Sequence, residues 1–445
     1  MSLIKKQLAL AITLALGSTA TQYAQALADM EPNSEWLSET PLEGQRQYVD
    51  APIPAHDPAL PVPEAFYFAN HATSRNGLSV ARLLDTTVQT LLASGQLTPW
   101  EEYELGNVLD YLSSQEPGKV GLALEQLAGS QNANLASATQ KTTGWLTQSL
   151  LSAMRDLPAY APGDNDSRLW VQGYGNTGTL SGEHGSAGLQ QKNQGLVIGA
   201  DWAVDHAWRL GVMGGKSVSD FGAKRFKSSL DSWHLGGYAI RQDGPLALRL
   251  GAVYSSHEGQ NKRSVDIDFL DFKEQLTGQY TAQSQNAFAE LGYQMGEGNI
   301  SIEPFAGIGF QRYHRDRFKE KGGLTALNVD DQTQQNLSST FGIRLATRYT
   351  LDDQMSLTPH LSTSWKRLYG DVGSAVRQSS RLYDEGGLNS DFTILGTSLD
   401  RNSLAWRTGL DLALSANHTL GVAYTGEVST SSRGHGLMGQ WQMSF

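Results

Sequence analysis

At 445 residues the chain has room for one large domain or two to three ordinary ones, and its formal net charge of −11 leaves no basic surplus to meet phosphates, which argues against nucleic-acid binding. It contains no cysteine, so a disulfide framework and thiol chemistry are both excluded. A mean hydropathy of −0.36 does not suit a bundle of membrane helices, yet Gly (47 residues), Tyr (16) and Trp (10) are abundant.

In chain order, Lys5 and Lys6 precede the apolar run "LALAITLAL" from Leu8 to Leu16, and Ala24-Gln25-Ala26 and Ala26-Leu27-Ala28 supply small-x-small sites. A basic start, a short apolar core and such a site make a secretory signal peptide, assigned to residues 1–28. The run is too short to span a bilayer as a helix, which takes about 20 apolar residues. From Asp29 to Asn165 there are 17 acidic and 6 basic residues, net −11; from Asp166 to Phe445 there are 28 acidic and 26 basic, net −2. The imbalance divides the mature chain into two different objects.

Residues 29–64 hold seven of the fourteen prolines, which forbid a ladder or a helix, so this acidic segment is expected to be extended. Residues 65–134 read as helical. Leu78, Leu83, Val88, Leu91 and Leu92 recur at helical spacing, and Ser94-Gly95 ends the run. "TPWE" places Thr98 as N-cap, Pro99 at the first helical position and Glu101 at the third, with Leu105, Val108, Leu109 and Leu112 on one face. A third helix follows Pro117, with Val120, Leu124 and Leu127 along one side. Between 135 and 157, Leu146, Leu150, Met154 and Leu157 form a stripe among Ser, Thr and Gln. By itself that pattern is an ordinary amphipathic surface helix.

Beyond residue 167 the period changes from 3.6 to 2. Leu404, Trp406, Thr408, Leu410 and Leu412 alternate with Ala405, Arg407, Gly409 and Asp411. Phe341, Ile343 and Leu345 alternate with Gly342, Arg344 and Ala346, and Ile302, Pro304 and Ile308 face away from Glu303, Gly307 and Gly309. Comparable runs bring the expected number of strands to twelve, with the parity ambiguous in the first strand and around Trp233. No helical stretch intervenes, which excludes parallel βαβ units. In a soluble sandwich the polar face would seldom carry so much Gly, Ala and Ser. In a membrane barrel the apolar face meets lipid, and Arg344, Arg407, Asp411 and Glu303 become compensating lumen charges. Trp202, Trp208, Tyr254, Tyr293, Tyr349 and Trp365 fit interfacial girdles. Short links such as 352–353 and 416–417 alternate with long ones at 256–281, 313–333 and 370–392, the pattern of an outer-membrane barrel.

The last strand, "HGLMGQWQMSF", keeps Leu437, Gly439, Trp441, Met443 and Phe445 on one parity up to the carboxylate. A closed barrel needs its final strand bonded to the first, because lipid cannot satisfy an open edge.

With "ALEQLAGSQNANLASATQ" (123–140), "RLWVQGYG" (168–175) and the block 404–445, the chain resembles the autotransporters, the type V secretion family. The resemblance implies an all-β membrane barrel: a twelve-stranded antiparallel outer-membrane barrel over 167–445. It also implies a linker over 135–166 whose helix threads the pore through Leu146, Leu150 and Met154. Residues 65–134 then form an unusually short passenger or junction at the cell surface, and Trp441, Met443 and Phe445 form an assembly signal. The partners it implies are the outer-membrane bilayer, the barrel assembly machinery and periplasmic chaperones, with the protein a monomer and its N-terminal segment exported or left attached as a structural or adhesive element.

No enzyme, cofactor or metal is expected. "GYGNTG" (173–178) follows a strand but opens no helix, so the dinucleotide fingerprint fails, and no G-x-S-x-G elbow occurs. "DIDFLD" (266–271) reads as a solvated acidic loop, and the histidines lack metal-ligand spacing. Asn132 and Asn134 stand near the start of the pore helix, where some members of the family cleave themselves. His314 with Asp316 is similar to the rim pairs of barrel proteases, with an incidental loop pair as the plain alternative.

Overall fold

A computed structural model describes residues 66–95, 97–155, 167–352, 355–381, 390–415 and 417–445. The expected signal peptide, the Pro-rich segment and residues 156–166 of the expected linker, Leu157 included, lie outside these residues.

Twelve antiparallel strands close into a barrel. They are β1 (Ser167–Leu180), β2 (Leu189–Ala203), β3 (Trp208–Ala223), β4 (Phe226–Asp243), β5 (Leu246–Ile267) and β6 (Phe272–Tyr293), followed by β7 (Ile300–Arg315), β8 (Gln332–Thr347), β9 (Ser356–Gly370), β10 (Asn402–Ala413), β11 (His418–Ser429) and β12 (Ser432–Ser444). Each pairs with the next, and β12 returns to β1 in a register from Leu180↔Ser432 to Arg168↔Ser444. The seam runs to the carboxyl end: Ser167 N donates to Phe445 O at 3.0 Å, and Phe445 N to Ser167 O at 2.9 Å. The last residue of the chain therefore closes the ladder, as lipid requires.

The two parities face opposite media. Leu404, Leu410, Val422, Phe341, Ile343 and Ile308 are exposed on the outside, while Val197, Met213, Tyr238 and Val253 are buried inside. The two ambiguous places are settled in opposite senses: Trp170 turns inward and Trp233 outward. Trp202, Tyr293 and Tyr349 lie exposed at the end where short turns join the strands, and Tyr254 and Trp365 lie exposed further toward the other end.

The expected loops need correction. Residues 256–281 form no long loop: β5 and β6, each of 22 residues, continue as one hairpin, paired from Leu246↔Tyr293 to Ile267↔Phe272. Its outer face there is polar because it meets water rather than lipid, so the hydropathy alternation fades although the ladder persists. The segments 313–333 and 370–392 also carry strands, and with Phe392–Gly396 they build a four-stranded sheet over the long-loop end. Its order is Phe392–Gly396, Ser374–Ser380, Leu327–Val329, Phe318–Lys319.

Among the described residues four α-helices precede the barrel: α1 (Arg75–Ser94), α2 (Pro99–Ser113), α3 (Pro117–Leu127) and α4 (Gln131–Arg155). Ser74 caps α1 by accepting from Gly77 N, and Gly95 ends it at φ +62°, a left-handed turn that a side chain would strain. Gly129, at φ +58°, turns the chain from α3 into α4. The last helix starts at Gln131, four residues before the expected 135, since Gln131–Asn134 carry no apolar stripe and were invisible to a periodicity argument.

The helices α1–α3 do not stand apart from the barrel. Phe68, Leu84, Leu105, Leu112 and Leu124 share one apolar core with Leu180, Leu189, Phe226, Leu230, Phe318, Val376 and Ile394. They form a cap on the long-loop end.

Candidate functional site

The candidate site is the barrel lumen and the helix that fills it. Helix α4 enters from beneath the cap and ends at Arg155, at the short-turn end. Its stripe of Leu146, Leu150, Leu151 and Met154 packs on Trp170, Val197, Met213, Tyr238, Ile240 and Val253, which belong to β1 through β5. The three residues picked out from sequence are almost fully buried there, at 1%, 0% and 0% exposure for Leu146, Leu150 and Met154. Burial of each is worth about 1.5–3 kcal/mol, so this half of the contact is held by packing.

The rest of the helix is held by hydrogen bonds to the wall and to the loops. Asn132 donates to Gln378 Oε1 (3.2 Å) and accepts from Asn261 (3.0 Å), while Arg315 donates to its carbonyl (2.9 Å). Asn134 accepts from Thr397 N at 2.7 Å and donates to Ser186 Oγ at 2.7 Å. Gln140 joins Asn336 (2.8 Å) and, through its carbonyl, Gln311 (2.8 Å). Such bonds satisfy polar groups that would otherwise be buried at a cost of roughly 1–3 kcal/mol each.

At the short-turn end the helix meets a charge network. Glu290 on β6 takes Arg155 of α4, Arg249 of β5 (3.3 Å) and Arg344 of β8 (2.7 Å). Glu303 on β7 takes Arg249 (2.6 Å) and Arg344 (3.0 Å), and the Arg344 guanidinium sits 3.8 Å from the Phe305 ring centroid. Three arginines thus share two carboxylates. A second cluster joins Asp201 to Arg168 (2.6 Å), Arg209 (2.7 Å) and the Tyr238 hydroxyl (2.7 Å).

The sequence reading placed Arg344, Glu303, Arg407 and Asp411 in the lumen, and all four lie on the inward parity. Arg344 and Glu303 are brought together; Asp411 instead meets His360 (3.5 Å) and Gln440 (3.1 Å), and Arg407 lines the lumen cavity. Glu290, which takes three arginines, escaped that reading although its parity with Ser284 and Asn286 places it inward. Arg155 escaped because nothing local distinguishes it from a solvated helix end.

Trp441 and Met443 are half-buried on the outward parity, Trp441 stacking on His418 at 5.9 Å, and Phe445 is 64% exposed. Gly173–Gly178 lie within β1, and Asp266 pairs with Lys273 at the tip of the β5–β6 hairpin. His314 and Asp316 are 3.4 Å apart, with His314 also on Thr333. No group of three or more His, Cys, Asp or Glu residues suited to a metal ion occurs among the described residues.

Between α4 and the strands β6 to β12 a cavity of about 200 Å³ remains, lined by Lys141, Trp145 and Gln148 on the helix and by both polar (Ser338, Ser364, Thr425) and apolar (Phe288, Phe310) residues of the wall. The plug is off-centre, packed on one side and bordered by this cavity on the other.

Comparison with known proteins gives this architecture a family. The autotransporter beta-domain model matches residues 169–425, more than half of the chain. An extracellular serine protease of Serratia marcescens is 26% identical over 314 residues, covering 69% of this chain and 29% of that protein; the "Uncharacterized protein YaiT" of Salmonella typhimurium is 21% identical over 340 residues. The chain thus spans less than a third of the length of the curated relatives it matches first. Among solved structures, the translocator domain of the autotransporter NalP from Neisseria meningitidis superposes with a TM-score of 0.54 at 16% identity, over 69% of this chain and 98% of that one. With a twelve-stranded closed barrel, a lumen filled by the preceding helix and this match, the chain belongs to the autotransporter beta-domain family and is an outer-membrane translocator barrel.

Proposed function

We propose that the barrel exports its own N-terminal segment to the cell surface and then keeps residues 66–127 as a folded cap over its mouth. The observation that carries this reading is the continuous apolar core joining α1–α3 to the long-loop ends of the strands. A segment released after export would leave that core open to water. On this reading the long-loop end faces outward, as in outer-membrane barrels generally, and the cap is external.

The attached, structural role is favoured over release by the state of Asn132 and Asn134. Both are fully buried, and their side chains are engaged with Gln378, Asn261, Ser186 and Thr397. The protein acts without catalysis or cofactor, as a monomer. The barrel assembly machinery, periplasmic chaperones and the outer-membrane bilayer are its partners.

Proteolysis of intact cells tests the export step: an epitope placed near His56 should be removed while the barrel stays folded, and protection of the epitope would overturn it. The mass of the outer-membrane species separates the two fates of the cap. A species running from about residue 29 to 445 is expected; one starting near Asn132 or Asn134 would mean release.

A further inference from the structure

The long-loop ends of β9 to β12 present exposed arginines where the short-turn ends present no lysine or arginine. Arg367 stands near the end of β9, Arg401 just before β10 and Arg433 at the start of β12; residues 351–359, 410–420 and 438–445 contain no Lys or Arg. Arg367 and Arg433 share the outward parity with Trp365, Leu404, Val428 and Leu437, which are 42%, 48%, 41% and 61% exposed and belong to the lipid-facing band.

None of the three arginines forms an ion pair with a described residue. The nearest carboxylates in the register are turned inward and used. Asp400 accepts from Ser429 (2.5 Å), Ser431 N (2.9 Å) and Ser432 (3.1 Å), and Glu427 pairs with Lys366 at 3.5 Å. Asp371, in the loop after β9, accepts from Gly373 N. The Arg367 guanidinium lies 5.6 Å from the Tyr369 ring centroid, a contact that restricts where it points.

The register fixes the spacing. Arg367 is opposite Asn402, Leu404 is opposite Val428, and Val428 is opposite Arg433. Three inter-strand steps of about 4.8 Å, with the two-residue offset between Asn402 and Leu404 along β10, put the two outward arginines roughly 16 Å apart, with Leu404 and Val428 as an apolar floor between them and Arg401 beside Asn402. A cation pair above an apolar floor complements an amphiphile with acyl chains and two separated phosphates.

From this arrangement we infer that β9–β12 carry a binding site for one diphosphorylated, multiply acylated glycolipid, with its phosphates on Arg367 and Arg433 and its chains along Leu404, Val428 and Leu437. The inference adopts the outward orientation of the long-loop end proposed above, but binding in detergent does not depend on that orientation, so the two readings can fail separately. Arginine suits the task because its planar fork meets phosphate oxygens bidentately.

The full chain, folded in detergent, is titrated with diphosphoryl lipid A, monophosphoryl lipid A and phosphatidylglycerol, and bound lipid is counted by native mass spectrometry. One diphosphoryl molecule per barrel is expected. At least tenfold weaker binding is expected for the monophosphoryl form and for the Arg367→Ser/Arg433→Ser variant, and partial recovery for Arg367→Lys/Arg433→Lys. Lys262→Ser/Lys273→Ser, on the outer face of the β5–β6 hairpin, should bind like the wild type. Heat-modifiable migration verifies that each variant is folded, which the exposure of these side chains predicts. Equal binding by the Ser variant, or phosphatidylglycerol binding as tightly as the diphosphoryl lipid, would overturn the site.

Discussion

Glu290 sits where one carboxylate neutralises cations from the pore helix and from two strands. Removing one partner of a buried charge cluster costs roughly 3–5 kcal/mol, because the remaining charges stay desolvated. Glu290→Gln leaves Arg155, Arg249 and Arg344 with Glu303 as their remaining carboxylate in this network. It should lower the denaturant midpoint of the purified barrel markedly, whereas Asp411→Asn, at a site shared with His360 and Gln440, should shift it far less. Similar midpoints for the two variants would show that the network is not what fastens the helix. At the carboxyl end the decisive property is parity. Phe445 points into lipid at 64% exposure, and its neighbour Ser444 has the lumen parity. An acidic group on the lipid face costs up to a few kcal/mol at the midplane and less near the interface, which alone would leave much folded barrel. If Phe445 also serves recognition at assembly, Phe445→Asp should deplete the heat-modifiable outer-membrane form strongly while Ser444→Asp stays mild. Equal outer-membrane levels would refute that role.

The cap elements are fastened by backbone-directed side chains as well as by apolar packing. Asn76, fully buried on α1, donates to Leu395 O (2.7 Å) and accepts from Leu395 N (2.8 Å), so it continues the edge of the four-stranded sheet as another strand would. Asp85 accepts from Phe68 N (2.7 Å) and Ala69 N (3.0 Å), fixing the turn Phe68–His71 against α1. Burial pushes the Asp85 carboxyl above its usual 3.8, outweighing the two backbone hydrogen bonds that act the other way. The folded state therefore holds this proton more tightly than the unfolded chain does. The stability this group contributes is full below about pH 3.8 and is lost as pH rises through the raised value. Urea-dependent proteolysis of the cap, compared between wild type and Asp85→Asn at pH 3.5 and pH 6, should show a difference that moves against the wild type as pH rises. A difference that does not change with pH would refute this.

For the molecule as a whole, the off-centre plug sets what the pore can pass. Helix α4 fills the side of β1–β5 with apolar contacts and leaves a cavity of about 200 Å³ on the other. The cap and the four-stranded sheet lie over the long-loop end. Full-length protein in planar bilayers should therefore show no large, stable openings of the kind an unplugged barrel gives. Such openings as the dominant state would mean that the helix leaves the lumen in the membrane.

The sequence by itself determined the barrel. Strand alternation is local, because successive side chains point to opposite faces, and lipid on one face makes the pattern visible residue by residue. The terminal Phe445 and the helical periodicity of α1, α2 and α3 were legible for the same reason. Where the outer face of a strand meets water, as in the upper half of the β5–β6 hairpin, the two faces lose their contrast and the strand was read as a loop. Tertiary structure decided the rest. Glu290 meets Arg155 across 135 positions of sequence, and Asn76 meets Leu395 across 319. Neither pairing has a local periodicity to betray it. That residues 66–127 fold onto the barrel mouth rather than standing free is likewise a property of complementary apolar surfaces, which exist only once both the helices and the strand ends have formed.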